Sequence, residues 1–343
     1  MDTFSFRKSR WVIQPERALR RNPRSTSGPG MLASALLLSA ALCGLPAAAQ
    51  AQVYIGDGSE GAVQKYDLVT GGSINGSLVT GVTQPFGIAV SGNDLFVSSN
   101  GGASGWSVGE YSAATGAPID RNFVAGLNGA DAIAVVGNTL YVANYPGGQA
   151  RVSTYNATTG AVISANFITT TGPFAYFDSF AFSGSYLFIA GKDPSSGSPV
   201  IGKYDATTGA AVSARFITGI PSEAVEIAVS GNSVFVPNPF GGSVARYDAT
   251  SGALITSTFT AGLASPTDLA VSGNTLFELD AGLLTVSQWN ATTGALLSPS
   301  FITHLDNPYS MAVVAVPEPS ATMVLAVAAA ALLVRRRRKT CCA

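Results

Sequence analysis

The chain is short of charge, of cysteine and of histidine. Of its 343 residues, only 11% are Asp, Glu, Lys or Arg, less than half the roughly 25% usual for soluble domains. Three cysteines and one histidine exclude a disulfide-stapled scaffold, which packs far more cysteine into a far shorter chain. They also leave too little material for Cys/His zinc centres. The formal net charge of −1 offers no basic surplus for nucleic acid. A Ser-His-Asp triad has only His304 to draw on, and no Gly-Lys-Ser/Thr phosphate loop occurs. Disorder is excluded by an apolar content of 47%.

What charge there is lies in blocks. Residues 1–52 carry +5, residues 53–316 carry −10, and residues 317–343 carry +4. An acidic body therefore sits between two basic ends. At the N-terminus, Arg7, Lys8, Arg10, Arg17, Arg20, Arg21 and Arg24 precede an apolar stretch from Met31 to Leu45 and the small residues Ala47-Ala48-Ala49-Gln50-Ala51. This order predicts a helical secretory signal over residues 1–51, cleaved after Ala49 or Ala51. Either Met1 or Met31 serves as its start. At the C-terminus, Val316-Pro317-Glu318-Pro319-Ser320 leads into an uncharged run, Ala321–Val334, and then Arg335, Arg336, Arg337, Arg338 and Lys339. As a helix, 14 residues rise only about 21 Å, short of a roughly 30 Å hydrocarbon core. A short apolar helix stopped by positive charge suits a transient membrane anchor with its basic end in the cytoplasm.

The body, residues 53–316, repeats. One motif recurs as Tyr66-Asp-Leu-Val-Thr-Gly71, Tyr111-Ser-Ala-Ala-Thr-Gly116, Tyr155-Asn-Ala-Thr-Thr-Gly160, Tyr204-Asp-Ala-Thr-Thr-Gly209, Tyr247-Asp-Ala-Thr-Ser-Gly252 and Trp289-Asn-Ala-Thr-Thr-Gly294. The glycines are 45, 44, 49, 43 and 42 residues apart. Seven residues after five of them stands a phenylalanine: Phe123, Phe167, Phe216, Phe259 and Phe301, with Leu78 in the first copy. A second motif, Ile-Ala-Val-Ser-Gly-Asn at 88–93 and near-copies at 133, 180, 227 and 269, precedes a run such as Leu95-Phe96-Val97. Gly-Asn between apolar runs is a hairpin signal. Each unit reads as four short strands, a to d, and a fixed period of such units reads as a β-propeller. Val53-Tyr54-Ile55 looks like a strand b without its a, and Met311-Ala312-Val313 like an a without its b. The expected fold is an all-β, six-bladed β-propeller closed by pairing of its N- and C-terminal strands.

In such a ring the a–b and c–d turns share one face, and the variable b–c and d–a connections share the other. Variable loops are where binding residues collect. Just before strand a stand Asp131, Asp178, Glu226 and Asp268; just after strand b stand Asp57, Asn144, Asn238 and Asp280. These hard oxygen ligands suit a cation such as calcium or the hydroxyls of a sugar. Against that, they serve equally to solvate the channel and bond loop amides, and no Asp-x-Asp-x-Asp-Gly calcium loop is present. Phe86, Trp106, Tyr145, Phe174, Tyr176, Phe177, Phe240 and Tyr309 lie in or near the same loops. They offer stacking platforms, although most propeller aromatics pack blades.

Two resemblances follow from these motifs. Val-Pro-Glu-Pro-Ser, an apolar helix and an arginine cluster at residues 316–339 resemble the PEP-CTERM sorting signal of Gram-negative bacteria. That resemblance implies export, processing by an exosortase, and a place at the cell surface or in the extracellular matrix near exopolysaccharide and biofilm. Thr340-Cys341-Cys342-Ala343 beyond the cluster departs from the pattern. The Ile-Ala-Val-Ser-Gly-Asn repeats resemble NHL- and YncE-type repeat propellers. The leading expectation is an exported binding module for polysaccharide or a surface protein. A calcium-dependent hydrolase or lactonase, by analogy with gluconolactonase-type propellers, and a purely structural surface protein stand beside it.

Overall fold

The structure, a computed structural model, describes residues 51–101, 105–169, 176–220 and 226–314. The expected signal segment up to residue 50, the Pro317-Glu318-Pro319 motif, the C-terminal apolar run and Arg335–Arg338 lie outside the described residues.

The described body is all-β, apart from one 3-10 turn at Pro146–Gly148, and its 24 strands form six four-stranded antiparallel sheets. Blade 1 holds β1 (Gln52–Asp57), β2 (Ala62–Asp67) and β3 (Ser73–Thr80). Blade 2 holds β4 (Pro85–Ser91), β5 (Asp94–Asn100), β6 (Trp106–Ser112) and β7 (Pro118–Leu127). Blade 3 holds β8 (Ile133–Val136), β9 (Thr139–Asn144), β10 (Arg151–Asn156) and β11 (Val162–Thr169). Blade 4 holds β12 (Tyr176–Ser183), β13 (Tyr186–Lys192), β14 (Pro199–Asp205) and β15 (Ala211–Ile217). Blade 5 holds β16 (Ala228–Ser230), β17 (Ser233–Asn238), β18 (Ser243–Asp248) and β19 (Leu254–Ala261). Blade 6 holds β20 (Pro266–Ser272), β21 (Thr275–Asp280), β22 (Thr285–Asn290) and β23 (Leu296–Ile302). The last strand, β24 (Pro308–Val314), joins blade 1 as its strand a, with Val53 opposite Val313 and Ile55 opposite Met311.

The core lies between the blades. Six apolar clusters each join two consecutive sheets, for example Phe188, Ile201 and Ile217 of blade 4 with Val234, Val236 and Tyr247 of blade 5. The cluster of Val53, Ile55 and Tyr66 with Phe277, Leu279 and Ile302 links blades 1 and 6 in the same manner.

The two halves of the repeated sequence motif meet across these gaps. The Asx residue that opens the c–d turn in five of the six blades caps it, and Ser112 Oγ accepts from Thr115 N in the other. Asp67 Oδ1 accepts from the amides of Val69 and Thr70 at 3.0 and 2.7 Å, and from the Thr70 hydroxyl at 2.9 Å. Asn156, Asp205, Asp248 and Asn290 accept the equivalent amides. The glycine four residues on has a positive φ, and its bare face receives a backbone carbonyl of the preceding blade. Gly160 meets Phe123 O, Gly209 meets Phe167 O, Gly252 meets Phe216 O and Gly294 meets Phe259 O. Gly116 meets Leu78 O, and Gly71 of blade 1 meets Phe301 O of blade 6. A Cβ at any of these six would fall under 3.0 Å from that oxygen. The same phenylalanines pack on the strand-b aromatic of their own blade. Phe96–Phe123, Tyr141–Phe167, Phe188–Phe216, Phe235–Phe259 and Phe277–Phe301 have ring centroids 5.2 to 5.8 Å apart, the spacing of tilted and edge-on aromatic pairs.

Gly116→Ala combines left-handed strain with backbone overlap and is expected to cost about 2–4 kcal/mol in chemical denaturation. Gly76 lies in exposed β3 with no atom within 4 Å of an added Cβ. Gly76→Ala is therefore expected to be neutral or to stabilise by up to about 1 kcal/mol. Equal losses in the two variants would remove the carbonyl contact as the reason for the glycine.

Candidate functional site

At the end of the body opposite the Gly-Asn turns, the inner strands are irregular. The residue two places before each Ile-Ala-Val core is skipped in the pairing of four blades. Phe86, Asp178, Thr267 and Tyr309 have no Cα partner, while their neighbours on both sides do. Such bulges re-aim a side chain and twist the strand. Asp131 stands at the same place in blade 3, two residues before Ile133.

The four carboxyls expected at the channel mouth therefore occupy two levels. Asp131 and Asp178 sit at the bulge level; Glu226 and Asp268 sit one residue deeper, directly before Ile227 and Leu269. The deeper position also ties blades together. Ser179 Oγ accepts from Ile227 N at 3.1 Å, Asp268 Oδ2 accepts from Met311 N, and Ser310 Oγ donates to Pro85 O at 2.8 Å. Asp131, Glu226 and Asp268, together with Phe86, Phe180 and Ser310, line a cavity of about 110 Å³ in the channel.

Packing carboxyls into this space holds protons on them. Burial pushes Asp131 up to about 6, opposed by the Tyr145 hydroxyl. Burial pushes Asp268 up to about 7, opposed by the amides of Met311 and Leu269. Glu226 is driven well above the usual glutamate value, first by burial and then by the charge of Asp268; Asp178 and Asp131 add to this, and Ser179 opposes it. Glu226 and Asp268 titrate as a pair. Tyr145 braces this side of the mouth: its hydroxyl accepts from Phe177 N at 2.7 Å and donates to Phe177 O.

Across the mouth the lining is aromatic. Phe86 packs 4.9 Å from Trp106 and 5.7 Å from Tyr309, centroid to centroid, and Tyr309 is 39% exposed. Phe174 lies outside the described residues. Phe177 is fully buried in the gap between blades 3 and 4, whereas Phe240 is exposed.

The second set of sequence candidates is not brought to the channel lining. Asp57 Oδ1 accepts from the amides of Ser59 and Glu60, and its Oδ2 from Gln64 Nε2. Asp280 accepts from the amides of Ala264, Ser265, Gly282 and Leu283. Asn238 accepts from Gly241 N, and Asn144 from Asn128 N. The Asn144 oxygen holds the d–a connection at Asn128, while those of Asp57, Asn238 and Asp280 cap b–c turns. Asp193 does the same in blade 4, accepting from Ser195 N and pairing with Arg215. The sequence carries the signal: Asp57, Asp193 and Asn238 each have a glycine four residues on, Gly61, Gly197 and Gly242, all with positive φ. That is the spacing of the c–d turns. In blade 6 the place belongs to Leu284, φ 57°.

Calcium does not fit these residues. Among the described residues no three of His, Cys, Asp and Glu are gathered closely enough to hold a metal ion, and the mouth carboxyls that come together favour protons. His304 lies at the rim of blade 6, its Nδ1 2.7 Å from the Thr303 hydroxyl, away from the channel acids.

No protein-family model matches the chain, and no curated protein matches it. Among solved structures it is similar to one described as the crystal structure of the nidogen/laminin complex. The TM-score is 0.59 at 10% identity, covering 77% of this chain and 98% of that chain. At that identity the likeness speaks for the fold alone.

Folded Asp131, Asp268 and Glu226 hold their protons more tightly than the unfolded chain does. The folded state therefore carries extra protons between about pH 4 and pH 7, and stability drains away as pH rises through that window. The exposed turn aspartates Asp67, Asp205 and Asp248 are held below the usual value, chiefly by amides of their own turns, and act only toward the acid end. The melting temperature is expected to fall by at least about 3 °C from pH 5 to pH 8. A flat or rising profile would contradict the proton-holding mouth.

Proposed function

We propose that this chain is an exported binding module that engages a hydroxyl-rich polymer, a polysaccharide, at the mouth of its channel. One observation carries the reading: Phe86, with the rings of Trp106 and Tyr309 packed against it, lines one cavity with Asp131, Glu226 and Asp268. Aromatic faces stack on the apolar faces of sugar rings. A carboxyl that keeps its proton near neutral pH offers a donor and an acceptor together, which matches a hydroxyl. Binding sites of this kind combine apolar walls with a few convergent polar groups.

The surroundings come from the two ends of the chain. A basic and apolar N-terminal segment supports passage through export machinery. The PEP-CTERM-like tail supports transient anchoring in the inner membrane, processing by an exosortase, and a location at the cell surface or in a matrix rich in exopolysaccharide. The sheet shared by β24 and β1 to β3 acts as the clasp that closes the ring after both ends are gone. The neighbour described as a nidogen/laminin complex is itself named for a protein complex, so a surface protein is the second class of partner. No observation favours the calcium-dependent hydrolase, because the mouth acids do not form an ion-holding set.

A glycan array probed with the purified chain tests this directly. Neutral polysaccharide fragments are expected to bind, and Phe86→Ala or Asp268→Asn to weaken binding by at least about tenfold, on the scale of one lost stacking or hydrogen-bonding anchor. Asp268→Asn keeps an acceptor for Met311 N, so its melting temperature checks that the ring is intact. Calcium is expected to leave both binding and melting unchanged. Unaltered binding in both variants, or binding only with calcium, would sink the proposal.

A further inference from the structure

Blade 6 departs from the other five at one buried position. The residue after the strand-b aromatic is Ile55, Val97, Val142, Ile189 or Val236 in blades 1 to 5, and Glu278 in blade 6. Glu278 is fully buried. Opposite it in β22 stands Ser287, whose hydroxyl donates to Glu278 Oε2 at 2.7 Å and accepts from Trp289 Nε1 at 2.6 Å. Trp289 in turn replaces the tyrosine of the other five repeats. Glu278 Oε1 and Thr285 Oγ1 are buried with no hydrogen-bond partner among the described residues.

These groups converge on one cavity. Thr285, Ser287 and Trp289 alternate along β22 and so share a face. With Glu278 they line a space of about 100 Å³ reaching Leu263 of blade 5. The rest of the wall is largely apolar, and Leu283 and Leu296 at its edge are 52% and 48% exposed, which leaves a route in. A buried polar atom without a partner costs about 1–3 kcal/mol. Five blades avoid that cost at this place with an aliphatic side chain.

We propose that the cavity between blades 5 and 6 binds a primary alkylammonium ion. Its head group donates to Glu278 Oε1 and Thr285 Oγ1, and its chain lies against Leu263 and Leu283. Both unsatisfied atoms can accept, so one ligand group must donate at least twice. A carboxyl prefers that donor cationic, and the indole of Trp289 in the wall adds attraction for a cation. A hard metal ion would want six or more oxygens, which this wall lacks. The volume suits a chain of about three or four carbons. Burial pushes Glu278 up to about 8, with Asp280 adding and Ser287 opposing, so at neutral pH the cation takes the place of a proton.

The test is calorimetric titration of the full chain with n-propylammonium, in buffers of different ionisation heat, at about pH 7 and pH 9. Saturable binding is expected, with close to one proton released per ligand at pH 7 and affinity about tenfold tighter at pH 9. The neutral isostere n-propanol is expected not to saturate. Glu278→Val restores the residue type of the other blades. It is expected to melt at or above the parent temperature and to lose binding by at least about tenfold. Glu278→Gln serves as a second variant if Val perturbs folding, and Asp268→Asn at the channel is expected to bind normally. Equal binding of n-propanol, binding without proton release, binding retained in both Glu278 variants, or no saturable heat at pH 9 would each overturn the proposal.

Discussion

Each blade delivers one backbone carbonyl into the space left by a missing side chain in the next blade. That contact, between the turn glycine and an outer-strand phenylalanine in five cases and Leu78 in the sixth, recurs around the ring, and its other regularities follow from it. The glycine must have no Cβ and a positive φ, so it cannot vary. The phenylalanine carries that carbonyl at a fixed height because its ring is held by the strand-b aromatic of its own blade. Around this contact, long side chains of strand c reach to the same turn. Lys65 Nζ donates to Ala113 O at 2.8 Å, Lys203 Nζ to Ala249 O at 2.8 Å, and Arg246 Nη1 to Thr292 O at 3.0 Å. Burial lowers the pKa of Lys65 and Lys203. Several of the few cations in the acidic body are thus used as fasteners between blades.

With one face committed to fastening, variation is left to the other. There the inner strands bulge, and the bulges turn Phe86 and Tyr309 toward one side of the mouth while Asp131, Glu226 and Asp268 gather on the other. Inner strands clamped by interblade hydrogen bonds cannot move apart to relieve like charges. The acids relieve them by keeping protons, and a protonated mouth suits hydroxyl-bearing ligands better than metal ions. The low overall charge of the chain is a consequence of the same architecture, since most side chains of each blade face another blade.

The fold was readable because its determinants are local and periodic. Gly-Asn, Ala-Thr-Thr-Gly and the phenylalanine seven residues on recur at a nearly constant spacing, and each has one structural job. The incomplete strands at Val53 and Met311 correspond to the β1–β24 pair. The site was less readable because proximity across blades leaves no mark in sequence. Asp57 and Asp280 look like ligands until their oxygens are seen to hold four turn amides or more between them, although the glycine four residues after Asp57 marks a turn. Asp131 and Asp268 both precede strand a, yet Asp131 stands two residues before its apolar core and Asp268 one, which sets them at different depths. Glu278 is visible as an acid in an aliphatic column of the repeats, but its meaning depends on Ser287, Trp289 and Thr285 facing the same space.

The central claim is that the ring forces carboxyls together at one mouth and thereby holds their protons. Carboxyl-carbon NMR titration of the chain, assigned with Asp131→Asn and Asp268→Asn, measures this most directly. The account predicts resonances titrating near pH 6 for Asp131 and near pH 7 for Asp268 coupled to Glu226. Titration of all three at the ordinary carboxylate value near pH 4 would contradict it.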